Sequence, residues 1–357
     1  MTAQPQVRVL IVDDSAVARD FLEYILSQDE HITVVGTARD GNEAVAAVIS
    51  LKPDVVTMDI HMPHMDGYEA TRRIMETAPV PIIIISASSS VGEVTAAFLA
   101  LEAGAVTVMN RPTGIGSGTY QEDARKLREI VKLMAEVRMV RRWPGGGRIS
   151  TPPTRKADAL EERISIVAIG ASTGGPAVIQ EILKMLPQPY PFPILVVQHI
   201  AKGFAASFSD WLNNTTNQTV RLARHGEETL PGIVYVAPDH CCMRVDQSGR
   251  LHVDSASGNT EAGPSVAALF ASVAKQYGRQ AVGVLLTGMG RDGAAELKMI
   301  RDAGGLALVQ DQHSSVVFGM PGEAVRLGAA SMVGSPQQIG GRLRALAFLP
   351  ESGERHR

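Results

Sequence analysis

The segment 164–176, ISIVAIGASTGGP, joins an apolar strand to a helix through a turn that carries a serine. Its first six residues are almost all apolar, which is typical of a strand buried on both faces of a parallel sheet. A helical pattern follows at 177–186, so Ser172 lies on a tight turn whose glycines let the backbone bend sharply. The spacing Gly170-x-Ser172-x-Gly174 is typical of a nucleophile elbow. A plain Gly/Ser turn or a phosphate-binding loop is the alternative interpretation of this segment alone.

Two further apolar segments end in a histidine and an aspartate. Segment 194–200, ILVVQHI, predicts a buried strand with His199 near its end, and segment 282–293, VGVLLTGMGRDG, predicts a third strand that enters a Gly-rich turn with Asp292. Because the carboxyl ends of parallel strands lie along one edge of a sheet, Ser172, His199 and Asp292 are predicted to meet there. Together they predict a catalytic triad of nucleophile, base and orienting carboxylate. Taken singly, the histidine would be structural and the aspartate would cap the helix that follows it.

A serine hydrolase also needs hydrogen-bond donors for the oxyanion that forms on the substrate carbonyl. The backbone N–H groups of Thr173, next after the serine, and of Met289, in the Gly-rich turn, are the predicted donors. The predicted chemistry is acyl transfer, for which we expect no cofactor in this part of the chain.

Charge and composition narrow the class of protein. The net charge of −3 gives no overall basic character for binding nucleic acid, and no apolar run approaches the ~18 residues of a membrane helix. The N-terminal residues lack the pattern of a signal peptide, so we expect a cytoplasmic protein with no direct membrane insertion. The two cysteines, Cys241 and Cys242, are adjacent and provide neither a disulfide framework nor a four-thiolate metal site.

The chain divides into two predicted α/β domains with open parallel sheets. Residues 1–123 hold seven basic and 17 acidic residues and alternate strands with helices, as a flavodoxin-like domain does. The last helix of this domain is predicted to extend to about residue 140. A basic linker rich in Gly and Pro follows at 141–162. Residues 163–350 are predicted to form a doubly wound, Rossmann-like hydrolase domain.

Polar residues gather at the predicted strand ends of the first domain. Asp13 and Asp14 follow its first strand, Asp59 its third, Ser86 ends its fourth and Arg111 follows its fifth. Three carboxylates at one edge repel each other unless a cation lies among them, and Mg²⁺ prefers such oxygen ligands. An aspartate neutralised in this way is placed to take up a phosphoryl group, which the hydroxyl and the guanidinium would then contact. Simple capping of a helix by Asp13 and Asp14 is the alternative.

The motifs VDDS at 12–15 and MDIHMPHMDG at 58–67, with Ser86 and Arg111-Pro112, resemble the response-regulator receiver family. The resemblance implies that Asp59 is the phosphoacceptor and that Ser86 and Arg111 are the switch residues. It also implies a Mg²⁺ site formed by Asp13, Asp14, Asp59 and the backbone carbonyl of His61. The family normally has lysine where Arg111 stands, and arginine presents a planar fork instead of a compact ammonium.

The second domain contains the motifs GASTGGP, VQHI, YVAP, LTGMGRDG and SSVVFGMP. These motifs resemble the chemotaxis protein-glutamate methylesterase (CheB) family. The resemblance implies hydrolysis of glutamate γ-methyl esters on chemoreceptor cytoplasmic helices, and deamidation of certain glutamines there, for chemotactic adaptation. It further implies activation by a chemotaxis histidine kinase, and it assigns the triad to Ser172, His199 and Asp292. The chain departs from the family pattern at Ala267, at Gln312 and in the segment 239–242.

Rival interpretations remain. An α/β-hydrolase orders its triad as serine, acid, histidine, whereas the order here is serine, histidine, aspartate. The glycine spacing is not the G-x-G-x-x-G of a dinucleotide-binding oxidoreductase. The other candidates are a related methylesterase that serves a different receptor array and a phosphorylation-switched docking module without catalysis.

Overall fold

The computed structural model describes residues 6–86, 91–137, 164–255 and 264–348, and the side chains of all of these except 91–95 and 255. The chain divides into two compact units, Met1–Pro144 and Gly145–Arg357. The linker predicted at 141–162 lies outside the described residues. Within the described ranges, no helix is both long and apolar enough to cross a membrane.

The first unit is a five-stranded parallel sheet with helices between the strands. Its strands are β1 (Val7–Val12), β2 (Ile32–Ala38), β3 (Val55–Met58), β4 (Ile82–Ser86) and β5 (Thr107–Asn110). Its helices are α1 (Ala16–Leu26), α2 (Gly41–Leu51), α3 (Gly67–Thr77), α4 (Val91–Ala103) and α5 (Tyr120–Ala135). The strand order β2-β1-β3-β4-β5 is that of flavodoxin-like folds, which confirms the prediction. The polar residues that follow β1, β3 and β5 therefore lie at one edge.

The second unit is built on a seven-stranded sheet whose pairings are all parallel. Its strands are β6 (Ile166–Ala171), β7 (Ile194–Gln198), β8 (Thr219–Leu222), β9 (Ile233–Val236), β12 (Ala281–Leu285), β13 (Leu306–Gln310) and β14 (Met332–Gly334), and an antiparallel hairpin pairs β10 (Cys241–Val245) with β11 (Leu251–Ser255). Its helices are α6 (Gly175–Met185), α7 (Ala205–Thr215), α8 (Val266–Tyr277), α9 (Ala294–Asp302), α10 (Met320–Arg326) and α11 (Pro336–Leu346), with a 3₁₀ turn at Gly278–Gln280.

The strand order β14-β13-β12-β6-β7-β9-β8 reverses direction beside β6. After β6 the chain forms β7, β8 and β9 on one side of that strand, and it later forms β12, β13 and β14 on the other side. Open α/β sheets bind ligands at such a reversal, outside the carboxyl ends of the strands. The turns that follow β6, β7 and β12 are therefore neighbours at this position.

The apolar patterns predicted the buried elements best. The apolar pattern of the sequence predicts a helix at 266–277 and a strand at 306–310, and α8 and β13 have these bounds. The hairpin that the sequence predicts at 243–253, with its turn at Ser248-Gly249, is also present. The sequence pattern did not predict β8 and β14, because both are short edge strands with partly exposed side chains. It also missed α10 and α11. In the described residues α5 ends at Ala135, earlier than the predicted extension to about residue 140.

Candidate functional site

Ser172 lies on the turn between β6 and α6, as the glycine spacing predicted. Its N–H donates to the carbonyl of Thr287, 3.0 Å away. Its own carbonyl accepts from the N–H of Gly175 at 2.8 Å and from the Nε2 of Gln198 at 2.7 Å. Gly174 has a φ of +78°, a left-handed conformation that glycine adopts without strain. The backbone on both sides of the serine is thus fixed, while its side chain is only partly buried.

His199 follows β7 directly and is paired with Asp292. Its backbone N–H donates to the carbonyl of Ala171 at 2.9 Å, which holds it beside the serine turn. Its Nε2 lies 2.9 Å from a carboxylate oxygen of Asp292. The other ring nitrogen, Nδ1, is therefore the one that can accept a proton from the serine. Ser172 and His199 are both among the described residues, and no hydrogen bond joins the serine hydroxyl to the imidazole. Catalytic hydrogen bonds of this kind often form fully only when substrate is bound.

The carboxylate of Asp292 is held by the first turn of α8. It accepts from the N–H of Val266 at 2.8 Å and from that of Ala267 at 3.0 Å. Burial by itself would raise the pKa of Asp292, but the hydrogen bond and charge of His199, together with these two N–H groups, lower that pKa below its ordinary value. The carboxylate therefore stays ionised and orients the imidazole. Asp292 does not cap α9, whose N-cap is Gly293.

Two glycines let α8 approach this carboxylate. A Cβ at Gly170 would come within 2.2 Å of a methyl carbon of Val266, and a Cβ at Gly293 within 2.3 Å of the same atom. Glycine at both positions therefore allows the Val266 side chain to pack between the serine strand and the aspartate turn. Val266 is not among the predicted site residues, because its contacts join residues that are far apart in the chain.

The Gly-rich turn after β12 packs directly on the nucleophile. A Cβ at Gly288 would lie 2.7 Å from the Cβ of Ser172, so only glycine permits this approach. Neither the N–H of Thr173 nor that of Met289 has an acceptor among the described residues. Thr173 follows the serine in the chain, and Met289 follows Gly288, which packs on the serine. An oxyanion site requires N–H groups that are unengaged in this way.

A buried polar network joins the two turns. The hydroxyl of Thr287 donates to the carbonyl of Thr173 and accepts from the N–H of Val317, both at 2.9 Å. The N–H of Thr287 donates to the Oε1 of Gln310, which is fully buried at the end of β13. Thr287 and Gln310 are not among the predicted site residues. The sequence signal for each is a polar residue at the end of an apolar strand.

A second cluster occupies the carboxyl edge of the first unit. The carboxylates of Asp13, Asp14 and Asp59 place their oxygens within 4.8 Å of one another. The Nη2 of Arg111 lies 2.6 Å from Asp13 and 3.3 Å from Asp59, and its backbone N–H donates to the carbonyl of Ser86 at 2.8 Å. The structure thus brings together the side chains of Asp13, Asp14, Asp59 and Arg111, and the backbone contact places Ser86 next to Arg111.

The charges of this cluster are poorly compensated. Burial, followed by the adjacent Asp13 carboxylate, raises the pKa of Asp59 to about 6 against the opposing effect of Arg111. Burial also raises the pKa of Asp13. A divalent cation with oxygen ligands would relieve this repulsion, so the residues fit Mg²⁺. Among the described residues, no backbone N–H donates to the carbonyl of His61, which leaves that oxygen available as a ligand.

Comparisons with known proteins place both units. Residues 9–117 match the response regulator receiver domain and residues 167–343 match the CheB methylesterase family. The protein-glutamate methylesterase/protein-glutamine glutaminase 4 of Geobacter metallireducens is 50% identical over 344 residues, which cover 96% of this chain and 99% of that protein. The corresponding protein of Nitrosospira multiformis is 48% identical over 352 residues, 98% of each chain. The crystal structure of the Thermotoga maritima CheB methylesterase catalytic domain is also similar. The match covers 51% of this chain and 98% of that domain, with 35% sequence identity and a TM-score of 0.48.

Proposed function

Because this chain belongs to the CheB family of methylesterases with a receiver domain, we propose that it hydrolyses glutamate γ-methyl esters on chemoreceptor cytoplasmic helices and deamidates particular receptor glutamines. The observation that supports this activity best is the arrangement of Ser172, His199 and Asp292 at the point where the strand order reverses. Its role is chemotactic adaptation, under control of the receiver.

In the proposed reaction, the Nδ1 of His199 accepts the hydroxyl proton of Ser172 as the serine oxygen attacks the ester carbonyl. The resulting oxyanion lies against the N–H groups of Thr173 and Met289. The imidazolium returns its proton to the departing methoxide, and methanol leaves. Water then attacks the acyl-enzyme with His199 again as base, which releases glutamate and restores Ser172. For a glutamine substrate the leaving group is ammonia.

Asp292 keeps the proton of Nε2 in place, so that Nδ1 is the basic nitrogen. Its hydrogen bonds from Val266 and Ala267 fix the carboxylate, and its charge stabilises the imidazolium that forms. The positive end of the α8 dipole also favours the charged carboxylate.

In the receiver, Asp59 accepts a phosphoryl group from a chemotaxis histidine kinase. Asp13, Asp14, Asp59 and the carbonyl of His61 would hold Mg²⁺, which neutralises charge on the phosphoryl oxygens when bound. Arg111 already contacts Asp13 and Asp59 and would meet the phosphoryl group, as would the hydroxyl of Ser86. Phosphorylation adds about −1.5 to −2 charges at this edge and raises the rate of hydrolysis.

Methanol release from methylated receptor membranes tests the activity. The Ser172→Ala protein should remain folded, by circular dichroism, and should lose several orders of magnitude of rate, as triad variants do. Folded Ser172→Ala protein with near wild-type methanol release would refute the assignment of the nucleophile. No release by wild type would leave the docking module as the better interpretation.

Control by phosphorylation is tested separately. Mg²⁺ with acetyl phosphate should speed methanol release by the wild-type protein and should leave the Asp59→Ala protein unchanged. Equal stimulation of both proteins would exclude Asp59 as the phosphoacceptor.

A further inference from the structure

Gln198, the last residue of β7, uses one amide group to hold the backbone of both the nucleophile and the base. Its side chain is buried, and its Nε2 donates to the carbonyl of Ser172 at 2.7 Å and to the carbonyl of His199 at 2.8 Å. We propose that Gln198 is a positioning residue that aims the N–H of Thr173 at the oxyanion. The inference rests on the proposed hydrolase function and adds a residue that the triad does not include.

The geometry of the peptide bond carries the argument. The carbonyl of Ser172 and the N–H of Thr173 belong to one planar trans peptide group, so they point in opposite directions. A donor that fixes the carbonyl therefore fixes the direction of the N–H. Donation to the carbonyl also polarises the same peptide group and strengthens the hydrogen bond that its N–H gives.

The cost of keeping an amide at this position supports the inference. The Oε1 of Gln198 is buried and has no hydrogen-bond partner in the described structure. A buried acceptor without a partner destabilises the protein, whereas an apolar side chain of similar size would avoid that cost. The two hydrogen bonds that Nε2 donates therefore account for a glutamine at this position.

Gly175 provides the space for this side chain. A Cβ at Gly175 would lie 2.2 Å from the Oε1 of Gln198 and 2.7 Å from the Cβ of Ala171. The two adjacent glycines thus have different roles: Gly174 adopts the left-handed turn, and Gly175 admits the amide of Gln198.

The test compares two buried glutamines in the full-length protein. Gln198→Leu removes the donors to Ser172 and His199. Gln218→Leu is the matched control, because Gln218 is equally buried, donates to the carbonyls of Leu186 and Pro187 at 3.2 Å each, and also has a partnerless Oε1. Circular dichroism checks that both variants are folded.

Only Gln198→Leu should lower kcat for methanol release, and we expect a decrease of about 10- to 100-fold. A misdirected oxyanion donor should lower the rate less than the deletion of that donor would. KM should stay within about twofold of wild type, because the donor acts on the transition state and not on bound substrate. A kcat for Gln198→Leu equal to that of Gln218→Leu would overturn the proposal, and so would a change confined to KM.

Gln198→Glu provides a second measurement that does not depend on the leucine variant folding. The neutral carboxyl can donate to one of the two carbonyls, whereas the ionised carboxyl donates to neither. Burial and the two facing carbonyl dipoles should raise the pKa of this carboxyl above the ordinary ~4.3 of glutamate. The ratio of variant to wild-type kcat/KM should therefore fall as pH rises.

His199 and Asp292, the titratable groups of the site, are present in both proteins, so the ratio removes the part of the pH dependence that the two proteins share. A ratio that is flat with pH, with both proteins folded by circular dichroism, would overturn the positioning role. Failure of the wild-type protein to release methanol would instead overturn the proposed function, so the two results are distinguishable.

Discussion

Replacing Asp59 by Asn should stabilise the metal-free receiver. Asp59 is almost fully buried beside Asp13, and the pKa of its carboxyl is about 6, against 3.8 for an ordinary aspartate. An acid whose pKa is raised by folding binds its proton more tightly in the folded state than in the unfolded state. Its ionisation therefore opposes folding.

The sign and size follow from these two pKa values. Below pH 3.8 the carboxyl is protonated in both states, and the substitution should change little. Between pH 3.8 and 6 the wild-type protein loses stability with rising pH, because the unfolded state releases the proton that the folded state still holds. Above pH 6 the accumulated loss is about 3 kcal/mol, at 1.36 kcal/mol for each unit of pKa difference. Asn has no charge to bury, so the variant should be more stable by up to about this amount at pH 8.

Hydrogen exchange, read by mass spectrometry on peptides from β1 and β3, measures the change in the full-length protein. Each pair of proteins is compared at the same pH in EDTA, and peptides of the second unit serve as an internal reference. Asp20→Asn, which removes an exposed carboxylate of α1, is the matched control and should change nothing. Equal protection of the Asp59→Asn and wild-type receivers at pH 8 would refute the reasoning, as would a gain that is as large at pH 4 as at pH 8.

Three further substitutions probe the two sites. Asp292→Asn should lower kcat for methanol release by about 10⁴-fold, because the imidazole loses the acceptor that fixes its tautomer; near wild-type kcat would contradict this. Arg111→Lys should preserve labelling by acetyl phosphate and stabilise the receiver by about 1 kcal/mol in hydrogen exchange, because the Nε of Arg111 is buried without a partner in the described structure. Thr287→Val should destabilise the second unit by about 2–4 kcal/mol in hydrogen exchange, since two backbone groups lose their partner. Its control, Thr57→Val, removes a buried hydroxyl without a partner and should change the stability of the receiver little.

The sequence was most informative where one strand determines the position of one residue. An apolar run followed by Ser172, His199 or Asp292 places that residue at the carboxyl edge whichever strands are neighbours. The same rule located Asp13 and Asp59 in the receiver. The order of the strands was not needed for these predictions, because parallel strands all end at the same edge.

Contacts between distant segments could not be predicted in this way. The hydrogen bond from Gln198 to Ser172 depends on β6 and β7 being adjacent with a particular register, and on the absence of a side chain at Gly175. The hydrogen bond from Thr287 to Gln310 likewise needs β12 beside β13. In the sequence these residues are only polar side chains at the ends of apolar runs, a pattern shared by many strands without such a role.

The carboxyl edges of the two units act in opposite ways on the charge of an aspartate, and this difference has a measurable consequence. Asp59 lies among carboxylates and its pKa is raised, whereas Asp292 accepts two N–H groups and faces His199, so its pKa is lowered. A lowered pKa means that the charged form favours the folded state above the pKa of the unfolded chain, and that this contribution is lost as pH falls through the folded value. Asp292→Asn should therefore destabilise the second unit at neutral pH, while Asp59→Asn stabilises the first. Hydrogen exchange on peptides from β12 and β1 in metal-free protein measures both shifts, and two shifts of the same sign would contradict the electrostatic assignment of one of the sites.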